Sequence, residues 1–204
     1  MTEQQRLFPW PHFMLMTYTA LTGISQGWDA ELLEKGAPDG LVCTAARELT
    51  LLTHPDAGPL VCFGMTGLDA YFCLDPHTKQ VIGVNYGAFR PRDPQPHFAG
   101  PAWFVNSSLD QFIASVRAIT TRFPYDTVSL KVSKRLSIDE WDLSDDDWNE
   151  LFREHDQAAD DLTEVLGRID PAAVVDQDGF WTGFVADVQM GNYATRYYLR
   201  PAER

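Results

Sequence analysis

Apolar positions follow two different periods along this chain. From Pro59 onward they come in short runs, Leu60 to Gly64, Ala70 to Leu74 and Val81 to Tyr86, separated by glycines and by the turn-forming Asp75-Pro76-His77-Thr78-Lys79. This pattern predicts neighbouring strands of an antiparallel meander, the last two forming a hairpin. Phe89 to Pro101 carries four prolines and no period, which predicts an extended surface loop. Thr127 to Ser133 alternates Val128, Leu130 and Val132 with polar residues, the signature of one more strand.

Elsewhere the period is helical. Asp29 to Lys35 reads as a short helix closed by Gly36 and stopped by Pro38. After Trp103-Phe104-Val105, residues Leu109, Phe112, Ile113 and Val116 fall at i, i+3, i+4 and i+7, with Ser107 as the expected N-cap and Asp110 at N3. The strongest local grammar is Leu143-Ser144-Asp145-Asp146-Asp147-Trp148. Ser144 and Asp147 form a shortened capping box, and Leu143 and Trp148 occupy the hydrophobic-staple positions. Trp148, Leu151, Phe152, His155, Ala159, Leu162 and Leu166 then continue an apolar stripe to Gly167, the expected C-cap. A further helix is predicted from about Gly179 through Phe180, Trp181, Phe184, Val185 and Val188, ending at Gly191-Asn192. Tyr193 to Leu199 reads as a final strand or an extended tail.

Strands followed by helices give an α+β class, a mostly antiparallel sheet with several packed helices. At 204 residues and 45% hydrophobic, the chain is expected to form one domain over residues 1–204, with 1–29 as an N-terminal segment of no assigned element. A domain of this size needs neither disulfides nor a structural metal to make a core. Cys43, Cys62 and Cys73 are odd in number and form no Cys-x-x-Cys pair, so they read as small buried hydrophobes. The early apolar run is broken by Pro9, Pro11 and His12, which leaves no signal peptide and no membrane span. The expectation is a cytoplasmic protein without a membrane partner.

The candidate chemistry is sparse. Gly23-Ile24-Ser25-Gln26-Gly27 fits the nucleophile-elbow pattern by letter, but the chain before it is too short to build the required parallel sheet. It reads as a glycine-bounded turn. Histidines 12, 54, 77, 97 and 155 share no metal-ligand spacing, and His155 lies on an apolar helix face where a hydrogen-bonded core histidine is expected. Asp145-Asp146-Asp147 lacks the alternating ligands and terminal Glu of a calcium loop, and Gly64-Met65-Thr66-Gly67 is followed by a strand rather than a phosphate-binding helix. No catalytic residue, cofactor or metal is assigned.

Charge says more. The formal net charge is −13, which argues against a nucleic-acid partner, because gripping phosphates requires Lys and Arg to displace counterions. Between Ser137 and Asp178 lie 15 of the 29 carboxylates, against only Arg153 and Arg168. Asp145, Asp146, Glu150, Glu154 and Asp161 would form a negative row outside a helix whose inside is Trp148, Leu151, Phe152 and Leu162. These five are the candidate partner-binding residues, and the partner they suit is a basic protein.

Several segments, in order, resemble the SUKH superfamily (the Smi1/Knr4-type group), and most closely its SUKH-4 branch of bacterial immunity proteins. They are Leu32-Leu33-Glu34-Lys35-Gly36-Ala37-Pro38, the hairpin of Tyr71 to Pro76 with Gln80 to Val84, the Phe104-Val105-Asn106-Ser107-Ser108-Leu109-Asp110-Gln111-Phe112-Ile113 segment, and Phe180-Trp181. Together they span about residues 30 to 190. The resemblance implies a SUKH-like α+β fold and a non-enzymatic role, binding and neutralising the cognate toxin of a polymorphic toxin system, often a nuclease or nucleic-acid deaminase. It also implies an alternative, a scaffold or regulatory protein-binding module of the Smi1/Knr4 type. It assigns no binding residue by position.

Overall fold

The computed structural model describes residues 44–66, 70–85, 100–128, 131 and 143–193. The chain runs β1 (Thr44–His54), β2 (Gly58–Thr66), β3 (Ala70–Leu74), β4 (Val81–Asn85) and β5 (Trp103–Asn106), then α1 (Leu109–Arg122), α2 (Asp145–Ile169), a 3-10 turn (Pro171–Val174) and α3 (Phe180–Gln189). The strands form one antiparallel sheet in sequence order. The α+β expectation and the β2-β3-β4 meander are both observed. The helix at 29–35, the Ser25 motif, Cys43, His12, His97, and most of the 89–101 loop and the 193–199 tail lie outside the described residues.

Alternation along the strands sorts their side chains into two layers. Val61, Phe63, Phe72, Leu74, Val81 and Val105 face the helices and join Phe112, Val116, Ile119, Leu162, Leu166, Trp181 and Val188 in the main core. The reverse face carries Leu60, Cys62, Cys73 and Val84, also buried. Burial on both faces explains why Leu60 to Gly64 reads as a continuous apolar run. Cys62 and Cys73 are cross-strand partners, free and buried, and behave as the small core residues expected.

The β3-β4 turn replaces glycine with side-chain hydrogen bonds. Asp75 Oδ1 accepts the amides of His77 (2.7 Å) and Thr78 (3.3 Å), and Oδ2 accepts the Thr78 hydroxyl at 2.8 Å. Burial alone would raise the Asp75 carboxyl, but these donors outweigh it and hold the group below its ordinary value. Lys79 closes the turn with φ at 66°, the left-handed region that a side chain enters at a cost. The left-handed conformation costs a side chain about 1–2 kcal/mol and glycine's lost entropy returns about 0.5–1 kcal/mol of this, so Lys79→Gly is expected to stabilise the protein by no more than about 1 kcal/mol in urea denaturation.

Four sequence expectations are corrected by tertiary contacts. The N-cap of α1 is Ser108, whose Oγ accepts the Gln111 amide at 3.2 Å, because Ser107 is committed elsewhere: its amide and hydroxyl both donate to Asp170. Asp110 is consequently at N2. The strand expected at 127–133 is a helical turn where it is described: Val128 and Lys131 are helical, and the Lys131 amide donates to the Thr127 carbonyl at 3.0 Å. Glu154 imposes that turn, accepting the Thr127 amide (2.6 Å), the Val128 amide (3.3 Å) and the Thr127 hydroxyl. Helix α2 does not stop at Gly167 but runs to Ile169 with Asp170 as C-cap. A Cβ on Gly167 would lie 3.6 Å from Val174 Cγ2, an ordinary contact, so this position has room for a side chain and the helix passes through it. Phe152, expected inside, is 49% exposed.

Candidate partner-binding surface

Helix α2 carries the candidate residues, and its start follows the local sequence rules. Ser144 Oγ accepts the Asp147 amide at 3.2 Å while Asp147 Oδ2 accepts the Ser144 amide at 3.3 Å, the reciprocal capping box. Leu143 and Trp148 pack in one small cluster with Val128 and Leu151, as a hydrophobic staple requires. Three aspartates in the first turn also suit the positive end of the helix.

The far end of α2 is fixed by a buried polar network that sequence reading missed. Asp170, 1% exposed, accepts hydrogen bonds from Asn106 Nδ2 (3.0 Å), the Ser107 amide (2.7 Å) and the Ser107 hydroxyl (2.9 Å). Asn106 Oδ1 in turn accepts the Trp181 indole N–H at 2.9 Å, and Gln111 Nε2 donates to the Ile169 carbonyl at 3.1 Å. One carboxylate and one amide thus join β5 and the starts of α1 and α3 to the end of α2. The available signal was Asn106 itself, a polar residue directly after the apolar run Trp103-Phe104-Val105.

Midway along α2, His155 is the core histidine expected: it is fully buried, with Nδ1 2.8 Å from the Val188 carbonyl of α3 and Nε2 3.5 Å from Asp126 Oδ2. Among the described residues no group of three or more His, Cys, Asp or Glu is placed to hold a metal ion. Nor is any helix among them long and apolar enough to cross a membrane.

The five candidate carboxylates are in different situations. Asp145 and Asp146 are exposed in the first turn, and Asp161 is exposed and accepts from Gln157 Nε2 at 3.2 Å. Glu150 is held by Arg153 in a two-point pair of 2.9 and 2.6 Å, and that guanidinium keeps its carboxyl below the ordinary range. Glu154 caps the Thr127 turn. Asp146, Glu150, Glu154 and Asp161 are spaced by four, four and seven residues and so share a face. The helix carries nine carboxylates and only two arginines, each arginine paired with a glutamate of the helix itself, so the face remains strongly negative.

A family model, SUKH-4 immunity protein, matches residues 25–187 of the chain. The chain belongs to the SUKH-4 immunity protein family. The match covers the whole described meander, all of α1 and α2 and most of α3, and it agrees with the resemblance carried by the hairpin, the Val105-Asn106-Ser107-Ser108-Leu109 segment and Phe180-Trp181. No curated protein and no solved structure matches. In this SUKH-4 protein the Val105-to-Leu109 segment is a structural joint: Val105 enters the core, Asn106 and Ser107 bind Asp170, and Ser108 caps α1. An immunity-protein role directs attention away from buried groups and toward surfaces able to meet a toxin.

Proposed function

We propose that this SUKH-4 protein is a cytoplasmic immunity factor, acting without catalysis, that binds and neutralises a cognate bacterial toxin whose active cleft is basic and handles nucleic acid. The acidic face of α2, with Asp146, Glu150, Glu154 and Asp161, and with Asp145 at the start of the helix beside it, takes the place of nucleic-acid phosphates before that cleft. The observation that carries this reading is the concentration of 15 carboxylates between Ser137 and Asp178 in a chain of net charge −13. A single-sign field of this kind accelerates capture of an oppositely charged protein and is screened by salt.

The face is tested by reversing Asp145, Asp146 and Asp161 to Lys together. Glu154 is left in place because its oxygens hold the Thr127 turn. Stopped-flow association with the toxin domain is expected to slow by about tenfold or more at low salt and to lose most of its salt dependence. Unchanged rates at every salt concentration would place the interface on another surface.

A further inference from the structure

Cys62 of β2 and Cys73 of β3 stand directly opposite one another in the antiparallel ladder. Directly opposed residues of such a pair have Cα atoms about 4.5–5.5 Å apart, inside the span of roughly 4.4–6.8 Å that a disulfide bridges. Both are free thiols, and both side chains lie on the reverse face of the sheet in one cluster with Leu60 and Val84. The two thiols are hydrogen-bonded to each other. Cys62 gives its own S–H to the Gly64 carbonyl at 3.7 Å, so it meets Cys73 as the acceptor. The register slips just after Cys62, between it and Gly64, which interrupts the ladder and leaves the β2 backbone room to adjust there.

The hydrogen bond makes the two sulfurs unequal. The Cys73 S–H holds the Cys62 thiol below its ordinary value, outweighing the burial that raises it, whereas the same bond and burial push Cys73 up. Cys62 is thus the sulfur that ionises first and attacks, and Cys73 the one that resolves. The surroundings select the oxidant. Cys62 is 3% exposed and Cys73 0%, and the cluster around them, with Tyr71, Ile82 and Ala102 packed against it, holds no charged side chain. A small uncharged oxidant enters such a layer at far lower cost than a bulky, charged disulfide such as oxidised glutathione.

We infer that Cys62 and Cys73 form a peroxide-sensitive redox pair whose oxidation staples β2 to β3. The Cys62 thiolate attacks one oxygen of hydrogen peroxide: the S–O bond forms, the O–O bond breaks, and the departing hydroxide takes up the proton that Cys62 released. The products are water and a Cys62 sulfenic acid. The Cys73 sulfur then attacks Cys62 Sγ: the S–S bond forms, the S–O bond breaks, and the hydroxide leaves with the Cys73 proton as a second water. Two electrons pass from the two thiols to the peroxide. The bridge closes a short loop around the β2-β3 connection and so removes freedom from the unfolded chain. This device stands or falls independently of the immunity reading.

The test treats the purified, reduced full chain in native buffer with hydrogen peroxide or, separately, with oxidised glutathione. Remaining thiols are then alkylated under denaturing conditions and located by chymotryptic peptide mapping and mass spectrometry. Peroxide is expected to join the Cys62 and Cys73 peptides with a loss of about 2 Da, the two thiol hydrogens, and dithiothreitol to separate them again. Oxidised glutathione at the same concentration is expected to act at least about tenfold more slowly. The bridged chain is expected to melt about 5 °C or more above the reduced one, and Cys73→Ala to show no such rise after peroxide. Full alkylation of Cys62 and Cys73 after peroxide, or a bridge from either of them to Cys43, would overturn the inference. So would equal rates with the two oxidants, an unchanged melting temperature in the bridged chain, or a rise that persists in Cys73→Ala.

Discussion

Asp170→Ala is expected to destabilise the protein by about 3 kcal/mol or more, the larger of two core effects argued from this fold. The carboxylate is 1% exposed and accepts three hydrogen bonds, from Asn106 Nδ2 and from the amide and hydroxyl of Ser107. Alanine removes every acceptor at once and brings no replacement, so buried donors keep their desolvation cost without a partner. The loss also reaches α3, because Asn106 positions its Oδ1 for the Trp181 indole through its own bond to Asp170. Asp170→Asn retains one acceptor oxygen and is expected to lose roughly half as much. Urea denaturation of both variants checks this. An Asp170→Ala midpoint equal to the wild type would mean that the network contributes nothing to holding α2 in place.

Gly83→Ala is the second, with an expected cost of about 3 kcal/mol from overpacking. Gly83 lies on β4 between Phe72 of β3 and Trp103 of β5 in the ladder. A Cβ placed there would sit 2.1 Å from Trp103 Cε2 and 2.2 Å from Nε1, so the indole occupies the space a side chain would need. Trp103 packs on the main core and cannot swing aside without losing that burial. Trp103→Leu removes the overlapping ring. It is therefore expected to be less damaging in the Gly83→Ala background than in the wild type, and a double-mutant cycle by thermal denaturation measures this coupling. Additive losses would show that the ring and the glycine do not meet.

What the sequence disclosed depended on how local the cause was. The Ser144–Asp147 capping box, the β3-β4 hairpin and the buried stripe of α1 depend on residues a few positions apart, and each appears where it was read. Errors arose where a distant residue decided the outcome. Ser107 was the better-looking cap until Asp170, 63 residues away, claimed it. The alternation at 127–133 suited a strand until Glu154, 27 residues away, capped a helical turn there. Strand β1 was not read at all: its register slips between Ala45 and Thr50, which breaks the two-residue period a strand should show.

The candidate surface divides in the same way. Charge density is a property of composition, so the acidic character of α2 was visible beforehand, including Asp145, Asp146 and Asp161. That Glu150 would pair with Arg153 follows from their spacing, whereas the capping role of Glu154 does not. The stripe rule placed Phe152 inside; it lies on the flank of the buried face, where Trp148 stacks on it and water reaches the rest.

The most direct measurement is a titration of the purified protein into its cognate toxin domain, reading toxin activity and complex formation at low and high salt. The immunity role predicts a tight one-to-one complex that abolishes toxin activity and weakens as salt rises. A toxin that remains fully active in the presence of excess protein at low salt would contradict it.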